Sequence, residues 1–281
     1  MQKNIAILAN LMAGRGKAVK TTMAIEKFLQ NYSINYNLFI NDWPASLDGF
    51  TEAWIVGGDG TINFFINKYR EFNIPLAIIK AGTGNDFAWH LYKNATLSDQ
   101  LNIINNAKAR HVDAGECNGR LFLNGIGIGF DGEVVNSLTR PGLLAGHAAY
   151  MWTVIKKILS FREKFFTIQI DGKTSSRKLL LLIIANGSRV GGGFYVSPNS
   201  DITDKKLDLL LCEPLSIFKR IRYLPAIEKG KHLHLPFIQH ELITDITVRA
   251  VEQIYAHVDG ELIYASEFKI KLLPAKYLFL Y

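Results

Sequence analysis

Two apolar segments that each run directly into a glycine-rich turn constrain the fold of this chain more than any other feature. Residues 54–56 lead into the turn at 57–61 (GGDGT), and residues 75–79 lead into a turn at 80–88 that again opens a helix. A spacing of about 25 residues fits one βαβ unit, which brings the ends of its two parallel strands to the same edge of a sheet. We therefore expect the two turns to lie next to each other.

The residue types in the first turn predict a loop that handles phosphates. Glycines let the backbone approach a polyphosphate, N–H groups at the start of the following helix point toward anions, and the Thr61 hydroxyl can donate a further hydrogen bond. Asp59 would repel phosphates unless a divalent cation or a substrate hydroxyl lies between them, so it favours phosphoryl transfer over nucleotide storage. Taken alone, the turn is equally consistent with a plain strand-to-helix connection.

The second turn, 82–88 (GTGNDFA), favours the functional interpretation. Together the two turns resemble the diacylglycerol kinase and sphingosine kinase superfamily, whose catalytic domains carry GGDGT followed by G-T-x-N-D-F/L-A. The resemblance covers the whole chain and implies an ATP site. An N-P-x-S-G loop lies near the nucleotide in the family, and here Asn10, Gly14 and Gly16 match while Leu11 and Ala13 depart from it. The residues expected around ATP are Asn10, Gly14, Gly57, Gly58, Asp59, Gly60, Thr61, Ile62, Asn63, Thr83, Asn85 and Asp86.

The distribution of predicted strands and helices divides the chain into two domains. The first part alternates strands near 4–9, 35–40, 53–56 and 76–79 with helices near 18–30, 60–71 and 96–107. This alternation predicts an α/β domain with a doubly wound parallel sheet, NAD-kinase-like by resemblance. Later segments predict a mostly antiparallel β domain with a helical stretch at 144–161. We assign residues 1–115 to a nucleotide-binding catalytic domain, to which the last strand at about 273–281 would return, and residues 116–272 to a β-rich lipid-binding domain.

A turn near the end of the chain carries the candidate general base. The segment 257–261 (HVDGE) contains Asp-Gly, a common hairpin signal, and by itself this would make Glu261 a solvated turn residue. Bacterial lipid kinases of the family carry D-G-E here, and the resemblance implies that Glu261 takes the proton from the lipid hydroxyl. Asp59 is then left for positioning magnesium or water. Sphingosine kinases are described with the aspartate of GGDGT as the base, so the choice between Glu261 and Asp59 stays open.

The segment 197–208 resembles the family's P-x-A-x-L-D-D-G-x-L-D sequence, in which an aspartate side chain and two backbone carbonyls hold a structural Mg²⁺. The resemblance assigns the carboxylate to Asp204 and the carbonyls to Asp201 and Lys206, and such oxygen ligands suit a hard cation. Thr203 and Lys205 replace an aspartate and a glycine of the pattern. An Asx-rich turn without a metal is therefore the alternative.

Composition and charge limit the partners and the compartment. The isolated Cys117 and Cys212 indicate neither a disulfide framework nor a zinc site, so we expect a reducing cytosol. No apolar run reaches the roughly 20 residues of a membrane span. The net charge is +7, mostly after residue 115, and nucleic-acid-binding motifs are absent, so an anionic membrane surface is the favoured partner. The segment 150–166 mixes cations with aromatics, typical of membrane docking or of a helix with one face in the core.

These features predict an ATP-dependent lipid kinase that uses Mg²⁺, located in the cytoplasm and peripherally at the inner face of the membrane. An NAD kinase shares the fold and GGDGT, but the Asn-Glu pair expected on the next helix is absent because Phe64 follows Asn63. A catalytically silent lipid- or nucleotide-binding regulator is the second alternative, and the presence of Asp59 and Glu261 argues against it. The acceptor, diacylglycerol or a related lipid, stays open, as does the choice between a monomer and a homodimer.

Overall fold

A computed structural model of the chain describes residues 3–138 and 147–281. These residues fold into two compact units. The first comprises the residues up to Val112 together with Ala275–Tyr281, and the second comprises Asp113–Pro274. The first three residues of the helical stretch predicted at 144–161 lie outside the described part of the chain.

The first unit is an α/β domain in which helices pack on a parallel sheet. Its strands are β1 (Asn4–Ala9), β2 (Asn35–Ile40), β3 (Glu52–Gly57) and β4 (Leu76–Lys80), and its helices are α1 (Lys17–Asn31), α2 (Asp59–Lys68), α3 (Asp86–Tyr92) and α4 (Leu97–Asn106). The strand order is β4-β3-β1-β2, with every neighbouring pair parallel. The β1–β2 and β3–β4 connections run toward opposite edges, and because such crossovers are right-handed, α1 and α2 cover opposite faces. The predicted doubly wound sheet is confirmed.

The sequence patterns explain why these elements form. All residues from Ile5 to Ala9 in β1 are buried, as expected for a central strand covered by helices on both faces. Helix α1 buries Ala18, Ile25 and Leu29, which share one face at helical spacing. Helix α4 begins at a capping box in which the Thr96 side chain accepts from the Asp99 backbone N–H.

The second unit is built mainly of antiparallel strands, as predicted. The strands are β5 (Ala109–Cys117), β6 (Arg120–Phe122), β7 (Gly125–Gly129), β8 (Lys164–Ile170), β9 (Lys173–Leu179), β10 (Leu181–Ala185), β11 (Leu207–Cys212), β12 (Ile238–Ile243), β13 (Asp245–Val258) and β14 (Glu261–Leu280). The start of β5 and the end of β14 belong to the first unit. The order β12-β11-β10-β7-β13-β14 is antiparallel throughout, and β13 also pairs with β8. Apolar side chains such as Phe166, Leu182 and Phe268 form its core.

Among the described residues, three helices interrupt these strands: α5 (Phe130–Leu138), α6 (His147–Ser160) and α7 (Ile217–Glu228). Only α6 was predicted. Gly132 lies within α5 and Pro225 within α7, and both residue types lower local helical preference. Packing overrides this preference, because a side chain at position 132 would collide with the backbone of Tyr255 in β13.

The last strand belongs to both units. Residues of β14 up to Pro274 lie in the second unit, and those from Ala275 lie in the first. There Phe279 pairs in parallel with Leu76 of β4, and the Tyr92 hydroxyl donates to the Leu280 carbonyl at 2.7 Å. The end of the chain therefore adds a parallel strand beside β4 in the first unit's sheet, and β14 also pairs with β5.

Candidate active site

The strand order of the first unit reverses between β1 and β3, so these neighbouring strands begin crossovers in opposite directions. In open α/β sheets, ligands bind beyond the carboxyl ends of the strands at such a point. The loop after β1 is tied to the end of β3, because the Asn10 backbone N–H donates to the Val56 carbonyl at 3.1 Å. The Asn10 side chain also donates to the Thr61 hydroxyl oxygen at 3.3 Å. The structure thus brings together Asn10 and the GGDGT turn.

The loop after β4 packs against the other two loops. The Ala81 backbone N–H donates to the Gly57 carbonyl at 2.9 Å. A Cβ on Gly58 would lie 2.9 Å from the Cα of Gly82, so the two turns touch through bare backbone. Gly14 has φ +60° and lies directly against the Ala81 carbonyl. Three loops at one edge of the sheet therefore form one tightly packed surface.

Asp59 joins the two glycine turns through its carboxylate. One carboxylate oxygen accepts the Asp86 backbone N–H, and the other accepts the Phe87 backbone N–H, each at 3.0 Å. These amides belong to the first turn of α3 and have no partner within the helix. Asp59 is half-buried and lies in the first turn of α2, and it accepts hydrogen bonds from backbone N–H groups in the first turn of α3. It therefore has a structural task in addition to any chemical one.

Asn85 shapes the second turn. It adopts a left-handed conformation with φ 54° at the start of α3. Its side chain accepts the Gly82 N–H at 2.9 Å and donates to the Gly82 carbonyl at 2.8 Å, which closes the turn on itself. Thr83 is exposed at the tip of this turn, whereas Asp86 is buried. Thr83 is thus placed to meet a ligand, and Asn85 to hold the loop.

The remaining expected nucleotide contacts lie along the start of α2. Gly60 is exposed, while the side chains of Thr61, Ile62 and Asn63 are buried. The backbone N–H groups of Thr61 and Ile62 both donate to the Gly58 carbonyl, which tightens the entry to the helix. Any contact of Ile62 or Asn63 with a nucleotide would therefore come from the backbone. Sequence reasoning could not separate backbone from side-chain roles here.

Glu261 opens β14 directly after a tight hairpin in the second unit. Asp259 and Gly260 have φ values of 49° and 85°, and Val258 pairs with Glu261, as in a type I′ turn. The Glu261 side chain is exposed. The turn itself is anchored, because the Asp259 carboxylate accepts the backbone N–H groups of residues 123, 124 and 125 at 2.8 to 2.9 Å.

The anchoring role of Asp259 was not anticipated from the sequence. The Asp-Gly pair predicted the hairpin, but it did not predict that the Asp259 carboxylate would accept backbone N–H groups at the start of β7. A glycine-rich strand following Asn124 offered a clue, since consecutive free amides suit a carboxylate. The pairing becomes visible only once β7 and β13 are neighbours.

The segment 201–206 forms a chain of side-chain-to-backbone turns. Asp201 accepts the Thr203 N–H at 2.9 Å, and Asp204 accepts the Lys206 N–H at 2.9 Å. Lys205 has φ +62°, and its N–H donates to the Asp113 carboxylate at 2.7 Å. A lysine thus occupies a left-handed position that favours glycine.

The charges around Asp204 fit a cation. Burial raises the pKa of Asp204, the hydrogen bond from the Lys206 N–H opposes this, and the charges of Asp208, Asp201 and Asp113 raise the pKa further. A positive ion here would relieve that repulsion. In the part of the chain that the structure describes, no three His, Cys, Asp or Glu side chains are grouped as a metal site. The expected ligand set is of a different kind, because it contains one side chain and two backbone carbonyls.

Helices α6 and α7 present apolar side chains to solvent. In α6, Val154 and Ile158 are buried, whereas Trp152 and Leu159 are 51% and 56% exposed. In α7, Ile217, Phe218 and Ile221 are exposed, Phe218 by 74%. The segment 150–166 therefore has one face in the core, which was one of the two interpretations of its sequence. It also has exposed apolar side chains. Within the described residues, no helix is long and apolar enough to cross a bilayer.

Comparison with known proteins gives matches over both units. Residues 4–117 match the diacylglycerol kinase catalytic domain family, and residues 124–279 match the family described as YegS C-terminal NAD kinase beta sandwich-like domain. The chain is 28% identical over 221 residues to a diacylglycerol kinase of Bacillus subtilis (strain 168), covering 77% of this chain and 73% of the relative.

Two solved structures show the same fold. A diacylglycerol kinase from Bacillus anthracis str. Sterne superimposes with a TM-score of 0.76 at 20% identity, covering 100% of this chain and 97% of that one. An NAD kinase from Archaeoglobus fulgidus in complex with ATP gives a TM-score of 0.59 at 17% identity, covering 99% and 93%. The NAD-kinase-like fold expected for the first domain is therefore confirmed. The two family matches confirm the resemblance read from the glycine turns, and the chain belongs to the diacylglycerol kinase-like family of lipid kinases.

Proposed function

We propose that this lipid kinase transfers the γ-phosphate of ATP to the hydroxyl of diacylglycerol or a related lipid. The observation that carries the proposal is the packing of three loops at the reversal of strand order in the first unit, with Asp59 hydrogen-bonded across two of them. Phosphoryl transfer depends on positioning and on stabilising charge, and a rigid loop cluster with backbone N–H groups serves both needs.

In this proposal ATP lies against the GGDGT turn. The start of α2 supplies backbone N–H groups and the positive end of a helix dipole for the phosphates. Gly58 and Gly82 leave no side chain between the backbone and a ligand, and the exposed Thr83 hydroxyl can donate to a phosphate or ribose oxygen. Asn10 and Asn85 hold their loops in place and support the site indirectly.

Mg²⁺ is proposed beside Asp59. Each carboxylate oxygen accepts one amide hydrogen and keeps a second lone pair, so the group can also hold a cation. Mg²⁺ bound to ATP would neutralise the charge that develops on the phosphates. The carboxylate is fixed by two backbone amides on the α3 side, which favours a positioning role over proton abstraction.

Glu261 is the proposed general base. It is exposed, it follows a rigid hairpin, and a carboxylate in hydrogen-bond reach of the attacking hydroxyl can orient it and take its proton. The separate segment around Asp204 is proposed to hold a structural Mg²⁺, with the carbonyls of Asp201 and Lys206 as further ligands. The mutual repulsion of the carboxylates near Asp204 supports this assignment.

A lipid substrate requires access to a membrane, and we propose peripheral binding at the cytoplasmic face. Helices α6 and α7 are joined by Arg220, whose guanidinium donates to the carbonyls of Ile158 and Phe161 and pairs with Glu163 at 2.6 Å. Exposed cations, Lys156, Arg162, Lys219 and Arg222, accompany the exposed apolar side chains of these helices. Apolar insertion together with attraction to anionic headgroups is typical of interfacial binding.

A transfer assay tests the proposal. Purified protein is incubated with [γ-³²P]ATP, Mg²⁺ and a fractionated lipid extract, with NAD and water as competing acceptors. We expect label in a lipid fraction that co-migrates with a phosphorylated lipid. Label in NADP would favour the second candidate function, NAD kinase. The fold similarity to an NAD kinase and the GGDGT turn are the reasons for including this candidate. ATP binding without any transfer would favour a silent regulator.

A further inference from the structure

A buried histidine lies behind the turn that carries Glu261. His257 is 5% exposed and occupies β13, two residues before the hairpin. Its Nδ1 accepts the backbone N–H of Gly260 at 3.2 Å. Gly260 is the residue directly before Glu261, so this contact fixes the peptide unit from which the proposed base projects.

The imidazole is itself held from the opposite side. The His257 Nε2 lies 2.7 Å from a carboxylate oxygen of Asp131, which is 8% exposed on α5. A Cβ on Gly127 of β7 would fall 2.7 Å from this Nε2 and collide with the Asp131 carboxylate. The absence of a side chain at Gly127 therefore makes room for the pair.

Because Nδ1 accepts the Gly260 N–H, the proton of the neutral ring is on Nε2 and is donated to Asp131. A hydrogen-bonded chain thus runs from the carboxylate of α5 through the imidazole to the turn. We propose that His257 is a positioning residue for the lipid kinase reaction: held by Asp131, it fixes the Gly260 amide and thereby the orientation of the Glu261 carboxylate. This rests on the proposed role of Glu261 as base.

Protonation of His257 breaks this chain, because a protonated Nδ1 is a donor and repels the Gly260 N–H. The charged groups facing the ring are Asp131 from α5 and Asp259 from the turn. Burial lowers the pKa of His257, but the charge and hydrogen bond of Asp131 and the charge of Asp259 outweigh it, and the net pKa is raised above 6.5. The turn is therefore held at pH values above this pKa and released below it, and kcat should fall on the acidic side.

Two substitutions separate the contacts of the ring. In His257→Asn, the side-chain oxygen can take the place of Nδ1, so this variant keeps the acceptor for the Gly260 N–H. In His257→Gln, the side-chain nitrogen can take the place of Nε2, so this variant keeps the donor to Asp131. We expect His257→Gln to lower kcat roughly tenfold, as for loss of one hydrogen bond, with little change in KM for the lipid. His257→Asn should stay within about threefold of the parent at neutral pH, and the acidic limb of its pH profile should move to lower pH. His232→Gln removes another buried imidazole of the same unit, one whose Nε2 lies 2.9 Å from the Val196 carbonyl oxygen, and is the matched control.

The Asp131→Asn variant provides a third test if a variant at position 257 fails to fold. It keeps an acceptor for Nε2 but removes the charge, so the acidic limb should move to lower pH. Equal kcat losses in the two position-257 variants, or an acidic limb that stays in place in His257→Asn and Asp131→Asn, would overturn the proposal, because a merely structural histidine predicts these results.

Hydrogen exchange at the Gly260 amide, measured by NMR, gives a readout that needs no kinase activity. Protection should fall in His257→Gln and below the His257 pKa in the parent, and it should persist in His257→Asn. The same protection in both variants would refute the positioning contact even if the protein phosphorylates lipids. A difference in protection between the variants without a difference in transfer would show that the contact exists but does not position Glu261 for the reaction, which would overturn the proposal.

Discussion

At the scale of single residues, the Asp59 carboxylate has a structural role beside its proposed chemical one. Its two oxygens accept the amides of Asp86 and Phe87, so the carboxylate holds the second glycine turn against the first. Sequence reasoning assigned Asp59 to metal and phosphate and had no basis for this cross-link. Capping of a helix start by an aspartate from another element requires two distant segments to meet, which a local pattern does not report.

Replacing Asp59 with Ala should abolish lipid phosphorylation and lower the free energy of unfolding by about 1–2 kcal/mol, because two helix-start amides lose their acceptor. Asp59→Asn keeps one oxygen acceptor and should destabilise less while still losing activity. Turnover assays and chemical denaturation measure the two effects. Near-normal transfer in Asp59→Asn would remove the charge of this residue from the mechanism.

Replacing Glu261 with Gln should reduce lipid phosphorylation by roughly 10²–10⁴-fold, the usual contribution of a positioned general base. The exposed side chain packs little, so the melting temperature should hardly change. Hydrolysis of ATP by water should fall less, since it does not need an oriented lipid hydroxyl, whereas Asp59→Asn should depress both reactions. If transfer survives in Glu261→Gln and is lost in Asp59→Asn, Asp59 is the base.

At the scale of elements, loops at strand ends carry the candidate chemistry, and strands fix their positions. The two glycine turns meet because β3 and β4 are parallel neighbours. The sequence predicted these loops because a glycine-rich turn after an apolar strand is a local signal. It did not predict α5 and α7, which depend on close packing against β13 and α6 rather than on local preference.

The segment at 201–206 gives a prediction at this scale. If it holds a structural Mg²⁺, chelation or Asp204→Ala should lower the melting temperature by a few degrees as well as the activity, because a ligand bound only to the folded state stabilises that state. Asp171→Ala, at an exposed hairpin turn of the same unit, is the control that should show no Mg²⁺-dependent shift. An equal melting temperature with Mg²⁺ and with EDTA would show that no stabilising ion binds there.

At the scale of the whole molecule, the exposed face of α6 and α7 predicts membrane association. Phe218→Ser together with Ile221→Ser should reduce co-sedimentation with phosphatidylglycerol vesicles several-fold, because both apolar insertion and its neighbouring cations are needed. Val251→Ser removes a 92% exposed apolar side chain from β13 and is the matched control. Binding to neutral phosphatidylcholine vesicles should be weak, and an unchanged affinity of the double variant would place the docking surface elsewhere.

The sequence by itself determined the class of each domain, the family and the positions of the two glycine turns, since alternating apolar segments and glycine turns are encoded within short stretches of chain. The tertiary structure alone decided which groups meet across long separations. Asp59 with α3, Asp259 with the entrance of β7, and His257 with Asp131 each join segments that are distant in sequence. Such contacts depend on the order of the strands and on close backbone packing. The residues next to each carboxylate in the sequence do not determine either of these.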